Sequence, residues 1–190
     1  MKYLIHYTLI NLVAVVMSSF LVNSSFATTV SQIDTSKSQV SFVSKQMGVP
    51  APGKFKKFSA SVKLDTDKLE STQGSMAIEL ASIDTGSKEG NDEVLGKNWF
   101  NVKQFPTANF NLKSAKNLGN GKVQFDGDLT VKGKTKAISS IASINTKGKT
   151  VELDGNFVFK RLDYAIGEGT WGDVDVVANE VQIRYQLVLK

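Results

Sequence analysis

The sequence predicts an all-β protein: about eight antiparallel strands in one sheet curled into a barrel or a sandwich, with a short helical segment near residues 89–101. Three observations predict it. Apolar residues recur at every second position in run after run. Short turns, most of them glycine-containing, separate the runs. The stretch Phe125 to Lys136 shows both features together. Phe125, Leu129 and Val131 share one face of an extended strand, with Gly127 between them. Lys132-Gly133 then forms a tight turn, because glycine tolerates the positive φ that hairpin turns demand.

The other elements follow in order. Val40 and Phe42 alternate with Ser41 and Val43. Pro50-Ala51-Pro52-Gly53 is expected to be a turn. Ala60, Val62 and Leu64 share a face, and after the turn Ser71-Thr72-Gln73-Gly74 so do Met76, Ile78 and Leu80. Phe110 and Leu112 open the next strand. The turn Leu118-Gly119-Asn120-Gly121 leads into the Phe125 strand. Ile138, Ser140, Ala142 and Ile144 share a face, as do Val151, Leu153, Gly155, Phe157 and Phe159 across the turn at Lys147-Gly148-Lys149. Val181, Ile183, Tyr185, Leu187 and Leu189 make the last strand, with Gln182, Arg184 and Gln186 opposite. One segment departs from this period. In Glu89 to Asn101, Val94, Leu95, Trp99 and Phe100 fall at roughly helical spacing, and Asn91, Asp92 and Glu93 suit a helix N-terminus. This segment reads either as a hydrophobic plug over one end of the sheet or as the rim of a cavity.

The first 27 residues have the form of an export signal. Lys2 precedes a largely apolar stretch from Leu4 to Val22, and Ser25-Phe26-Ala27 is a small-x-small cleavage pattern. Cleavage after Ala27 and a periplasmic location are expected, leaving residues 28–190 as one domain. The formal net charge of the full chain is +5. The basic residues are spread along the chain, so no nucleic-acid patch forms. This mild excess reads as a solvated surface or as a transient inner-membrane contact.

Two absences narrow the chemistry. The chain has one histidine, His6, inside the export signal, and no cysteine. The remaining chain has neither imidazole nor thiol. That excludes Ser-His-Asp and Cys-His nucleophilic catalysis and zinc sites of the usual kind. No disulfide can form, so packing and the β ladder supply the stability. No metal and no cofactor is expected.

Four motifs carry a family resemblance. They are Gly48-Val49-Pro50-Ala51-Pro52-Gly53-Lys54-Phe55-Lys56-Lys57-Phe58; Ala81 to Gly86 with Trp99-Phe100-Asn101-Val102 and Phe105 to Phe110; Gly127 to Lys136; and Lys160-Arg161-Leu162-Asp163-Tyr164-Ala165-Ile166-Gly167. In this order the chain resembles the YceI-like family of exported lipid- or polyisoprenoid-binding proteins. The family often has glycine where Ala165 stands and valine where Lys134 stands. The resemblance implies a lipocalin-like barrel around a long apolar cavity that holds an isoprenoid lipid, an isoprenoid quinone or a similar amphiphile.

Strand pattern and resemblance together mark the cavity candidates. They are Phe42, Phe55, Phe58, Met76, Ile78, Leu80, Trp99, Phe100, Phe110, Leu129, Phe157, Phe159, Arg161, Asp163, Tyr164 and Trp171. Arg161 and Asp163, two apart, are expected on the face of Phe159. There they form either a headgroup site or a structural ion pair. Gly127 and Gly155 interrupt apolar faces, and either open room for a guest or let the sheet bend. The expected partner is a hydrophobic or amphiphilic small molecule. A homodimer through an exposed strand or the Trp99 segment stays open. Two alternatives stand beside the carrier: a fully packed barrel that binds nothing, and a hydrolase using Asp126 and Asp128.

Overall fold

Alternation becomes strand almost everywhere the sequence carries it. The computed structural model describes residues 29–190, so the expected export signal lies outside the described residues. The strands are β1 (Thr29–Val30), β2 (Gln39–Gln46), β3 (Val49–Phe55), β4 (Phe58–Asp65), β5 (Gln73–Glu79), β6 (Ile83–Asp84), β7 (Thr107–Gly119), β8 (Lys122–Val131), β9 (Lys134–Lys147), β10 (Thr150–Lys160) and β11 (Glu180–Leu189). One helix, α1 (Lys88–Val94), lies between β6 and β7. All pairings are antiparallel, in the order β1-β4-β5-β7-β8-β9-β10-β11-β2-β3-β6.

The two ends of this order meet. Only Lys56 and Lys57 separate β3 at one end from β4 at the other. Around them the Lys56 and Glu79 amides donate to Ser82 O and Lys57 O. At the opposite end of the barrel the first segment acts as a strap. Val30 pairs with Leu64 of β4, and Ile33 bridges to Leu189 of β11. The sheet thus curls into a barrel, bridged at these two places.

The strand count exceeds the expected eight because β1 and β6 are two residues each and because β3 runs through Pro50-Ala51-Pro52-Gly53. The turn expected there sits instead at Met47-Gly48, both at positive φ. Prolines are tolerated because β3 is nearly an edge: its pairing to β6 involves only Lys54 and Phe55. The turn at Lys132-Gly133 is as expected, with φ of +49° and +73°. A β-carbon on Gly133 would also press on the Phe105 ring. Lys132 ties the turn down, donating from Nζ to Ala165 O at 2.6 Å and to Glu168 Oε2 at 2.9 Å.

The helix is shorter than the sequence suggested and starts earlier. Its N-cap is Ser87, whose Oγ accepts from the Gly90 amide. Asn91, expected to cap, instead accepts from the Thr85 amide and hydroxyl. Trp99 and Phe100 lie in the turns beyond the helix.

Two buried clusters sit at the two ends of the barrel. One gathers Val30, Leu64, Leu69, Val123, Val151 and Leu189 near the strap. The other gathers Leu80, Ala108, Leu129, Val131, Tyr164 and Ile166, with Trp99, Phe100 and Val102 packed on it. The 89–101 segment therefore caps this second end.

Candidate functional site

The space between the two clusters is a cavity of about 190 Å³. Strand alternation builds its walls. On β8 the inward residues Phe125, Leu129 and Val131 line it, and on β10 Leu153, Phe157 and Phe159 do. Each set spans seven residues, six rises or about 20 Å of extended chain. Ala60, Val62 and Leu64 of β4, Met76 and Ile78 of β5, and Phe110 and Leu112 of β7 complete one side. Ile183, Tyr185, Leu187 and Leu189 of β11 complete the other. Many of these inward residues keep accessible surface, among them Met76, Phe110, Phe157 and Leu187. A fully packed barrel would have buried them, so that alternative does not describe this interior.

Among the predicted cavity residues, Phe55, Met76, Ile78, Leu80, Phe100, Phe110, Leu129, Phe157 and Phe159 line this space. The remainder lie elsewhere. Phe42 sits against Phe55, ring centroids 5.5 Å apart, and fills the space left by Gly53. Phe58 opens β4 opposite Ile78. Tyr164 is buried edge-on against Phe159 at 5.4 Å, and its hydroxyl has no hydrogen-bond partner.

Arg161 departs furthest from expectation. Residues Arg161–Tyr164 form a 3-10 turn, so the period-two argument fails there. Arg161 is buried, while Asp163 is exposed. The guanidinium donates to five backbone carbonyls: Ala178, Ile166, Gly167, Trp171 and Val177, at 2.7–3.1 Å. Burial pulls its pKa below the ordinary value. With its donors so committed it serves neither a headgroup nor an ion pair with Asp163. It also stands 5.8 Å from the Trp99 ring centroid. Trp99 and Trp171 lie 5.6 Å apart, and both indole N–H groups donate to Glu93 Oε1, at 3.1 and 2.7 Å. The aromatic pair thus clamps the cap to the 161–179 segment. Ala165 closes the 3-10 turn at φ +56°. Glycine would adopt that left-handed position without strain.

The glycine gaps are filled from within. A β-carbon on Gly127 would collide with the Phe110 ring, and one on Gly155 with the Tyr185 ring. Both glycines admit the protein's own aromatics. Tyr185, Ile183, Leu187, Ala60, Thr72 and Ser140 also line the cavity without having been marked as site residues. The alternation of β11 was the available signal for its three. Ser140 shared the face of Ile138 and Ala142, a signal that its polarity masked, and Thr72, just ahead of β5, carried none.

The carboxylates proposed for hydrolysis face away from the cavity, alternating with inward Phe125, Gly127 and Leu129. Hydrogen bonds from Ser139, then Gln124 and Ser114, hold Asp126 below the usual carboxylate range. Asp128 pairs with Lys113 Nζ at 2.7 Å. Asp126 is thus held as the carboxylate, not as the protonated group a general acid requires.

A family model for the YceI-like domain matches residues 32–189. BcnA of Burkholderia cenocepacia is similar in structure, with a TM-score of 0.82 and 42% identity over 84% of this chain and 100% of its own. A polyisoprenoid-binding domain from Saccharophagus degradans superposes with a TM-score of 0.68 at 17% identity, over 85% of this chain and 98% of its own, and so shows the fold alone. A UPF0312 protein of Ectopseudomonas mendocina is 32% identical over 97 residues, which is 51% of each chain. The match spans about half the length of the curated relatives. With its barrel, capped apolar interior and family match over residues 32–189, the chain belongs to the YceI-like domain family.

Proposed function

We propose that this protein is an exported, periplasmic carrier that holds an isoprenoid lipid, an isoprenoid quinone or a similar amphiphile inside the barrel. The supporting observation is the apolar cavity whose inward-facing walls keep accessible surface. An apolar tail in water costs roughly 25 cal/mol per Å² of exposed area. Walls of Phe, Leu, Ile and Met remove that cost without any reactive group. The lining runs from Leu64 and Leu189 near the strap to Leu80 and Ile166 near the cap, which suits an extended apolar chain. The Saccharophagus domain, described as polyisoprenoid-binding, is consistent with this ligand class. Transient contact with the inner membrane would load and unload the chain.

Organic extraction of purified protein, followed by mass spectrometry, tests the proposal. A stoichiometric isoprenoid from more than one expression host is the expected result. Protein that is repeatedly free of lipid and does not saturate with a prenyl probe would overturn it.

A further inference from the structure

Three hydroxyls interrupt the apolar wall from inside. Ser61, Ser75 and Asn109 also border the cavity but alternate with the inward residues Ala60, Met76 and Ala108. Thr72, Ser140 and Tyr185 share the inward parity of their neighbours. Ser140 Oγ lies 2.8 Å from Tyr185 Oη and 2.9 Å from Asn156 O. A serine hydroxyl has one proton, and a carbonyl can only accept. Ser140 therefore donates to Asn156 O, and Tyr185 donates to Ser140. No proton is left over, so this pair shows the cavity lone pairs only. Burial, with the Asp154 charge behind it, raises the Tyr185 pKa against the opposing pull of the Ser140 bond, and the phenol keeps its proton.

Thr72 is the complementary case. It is 7% exposed, borders the same cavity, and its Oγ1 has no hydrogen-bond partner. A buried hydroxyl without a partner is costly. Neither it nor the Tyr185 hydroxyl improves packing over what valine or phenylalanine would give.

We infer that the cavity selects an amphiphile bearing a hydroxyl group, an isoprenoid alcohol or a quinol, whose proton is accepted by Tyr185 Oη within the barrel. The inference rests on the lipid-carrier proposal and narrows it. Thr72 has a proton to give to an oxygen of any kind, alcohol or ether, so the discrimination rests on the Tyr185–Ser140 pair. A ligand with only a carbonyl or ether oxygen would set its lone pairs against those of Tyr185 and Ser140. Serving it would take the Tyr185 proton away from Ser140, a swap that gains no bond. Selection here works by repulsion of the wrong oxygen as well as attraction of the right one.

Calorimetric titration with farnesol and with farnesyl methyl ether tests this, since the two share a tail and differ in the donated proton. The wild-type protein is expected to favour farnesol by roughly three- to tenfold. In Y185F that ratio falls to about one, with ether affinity retained. S140A returns the Tyr185 proton to the cavity, so ether affinity rises. If Y185F does not fold, S140A decides alone. Equal binding of both probes by the wild-type protein, or an undiminished ratio in the variants, overturns the inference while leaving the carrier proposal standing. Failure of the wild-type protein to bind either probe overturns both.

Discussion

The ring and hydroxyl of Tyr185 occupy the space that a β-carbon on Gly155 would fill, directly across the β10–β11 ladder. This one relationship places the phenol inside the barrel and brings it to Ser140, two strands away. It predicts that G155A destabilises the protein by about 1–3 kcal/mol through overpacking. Urea denaturation would measure the loss. In a Y185A background the same change should cost much less, and a double-mutant cycle would expose the coupling. Equal costs in both backgrounds would contradict the assigned contact.

Arg161 predicts a larger effect. In R161M, five carbonyls lose a charged donor, some of them deep in the fold. The expected loss is about 3–5 kcal/mol. R161K should recover little, because an ammonium cannot reproduce the planar fork. The chain has two tryptophans, and both adjoin this site. Their emission should shift in either variant.

Tyr164 predicts a dependence on alkaline pH. Burial, and secondarily the Asp163 charge, push its pKa up to about 12 from 10.0. The folded state therefore keeps a proton that the unfolded state releases above pH 10. Stability is complete below that pH and falls as pH rises toward 12. Y164F removes the titrating group and the unpartnered hydroxyl together. It should flatten the alkaline fall and raise stability at neutral pH by about 1 kcal/mol. Thermal melts from pH 7 to 11 would show an unchanged slope if Tyr164 were not responsible.

The cavity predicts an unusual tolerance. Ala60 faces it from β4. A phenylalanine at such a site in a filled core would cost about 1–3 kcal/mol. A60F is expected to leave the melting temperature near that of the wild type while reducing extractable lipid several-fold. A sharply lowered melting temperature would mean that the space is not available.

Much of the barrel was legible because strand alternation is local. That Phe125, Leu129 and Val131 share one face, and Val151, Leu153, Phe157 and Phe159 another, follows from period two alone; barrel closure turned those faces inward. Local rules failed where tertiary context overrode them. Pro50 and Pro52 signalled a turn, yet they sit in a strand whose free side asks for no amide donor. Arg161 and Asp163 were placed on one face by a period that ends at Lys160, where the 3-10 turn begins. Gly127 and Gly155 appeared as gaps, but Phe110 and Tyr185 reach in from adjacent strands to fill them.

By itself, the sequence determined the fold class, which residues share a face on most strands, and the want of imidazole or thiol chemistry beyond residue 27. Those properties depend on residue type and on spacing of two. Only the tertiary structure decided that the interior stays partly empty, that Arg161 is spent on backbone carbonyls, and that Ser140, Tyr185 and Thr72 border one cavity. Such outcomes depend on side-chain volume and hydrogen bonding between strands far apart in the chain. No local pattern encodes that sum, because each side chain's space is set by neighbours that only barrel closure brings into reach.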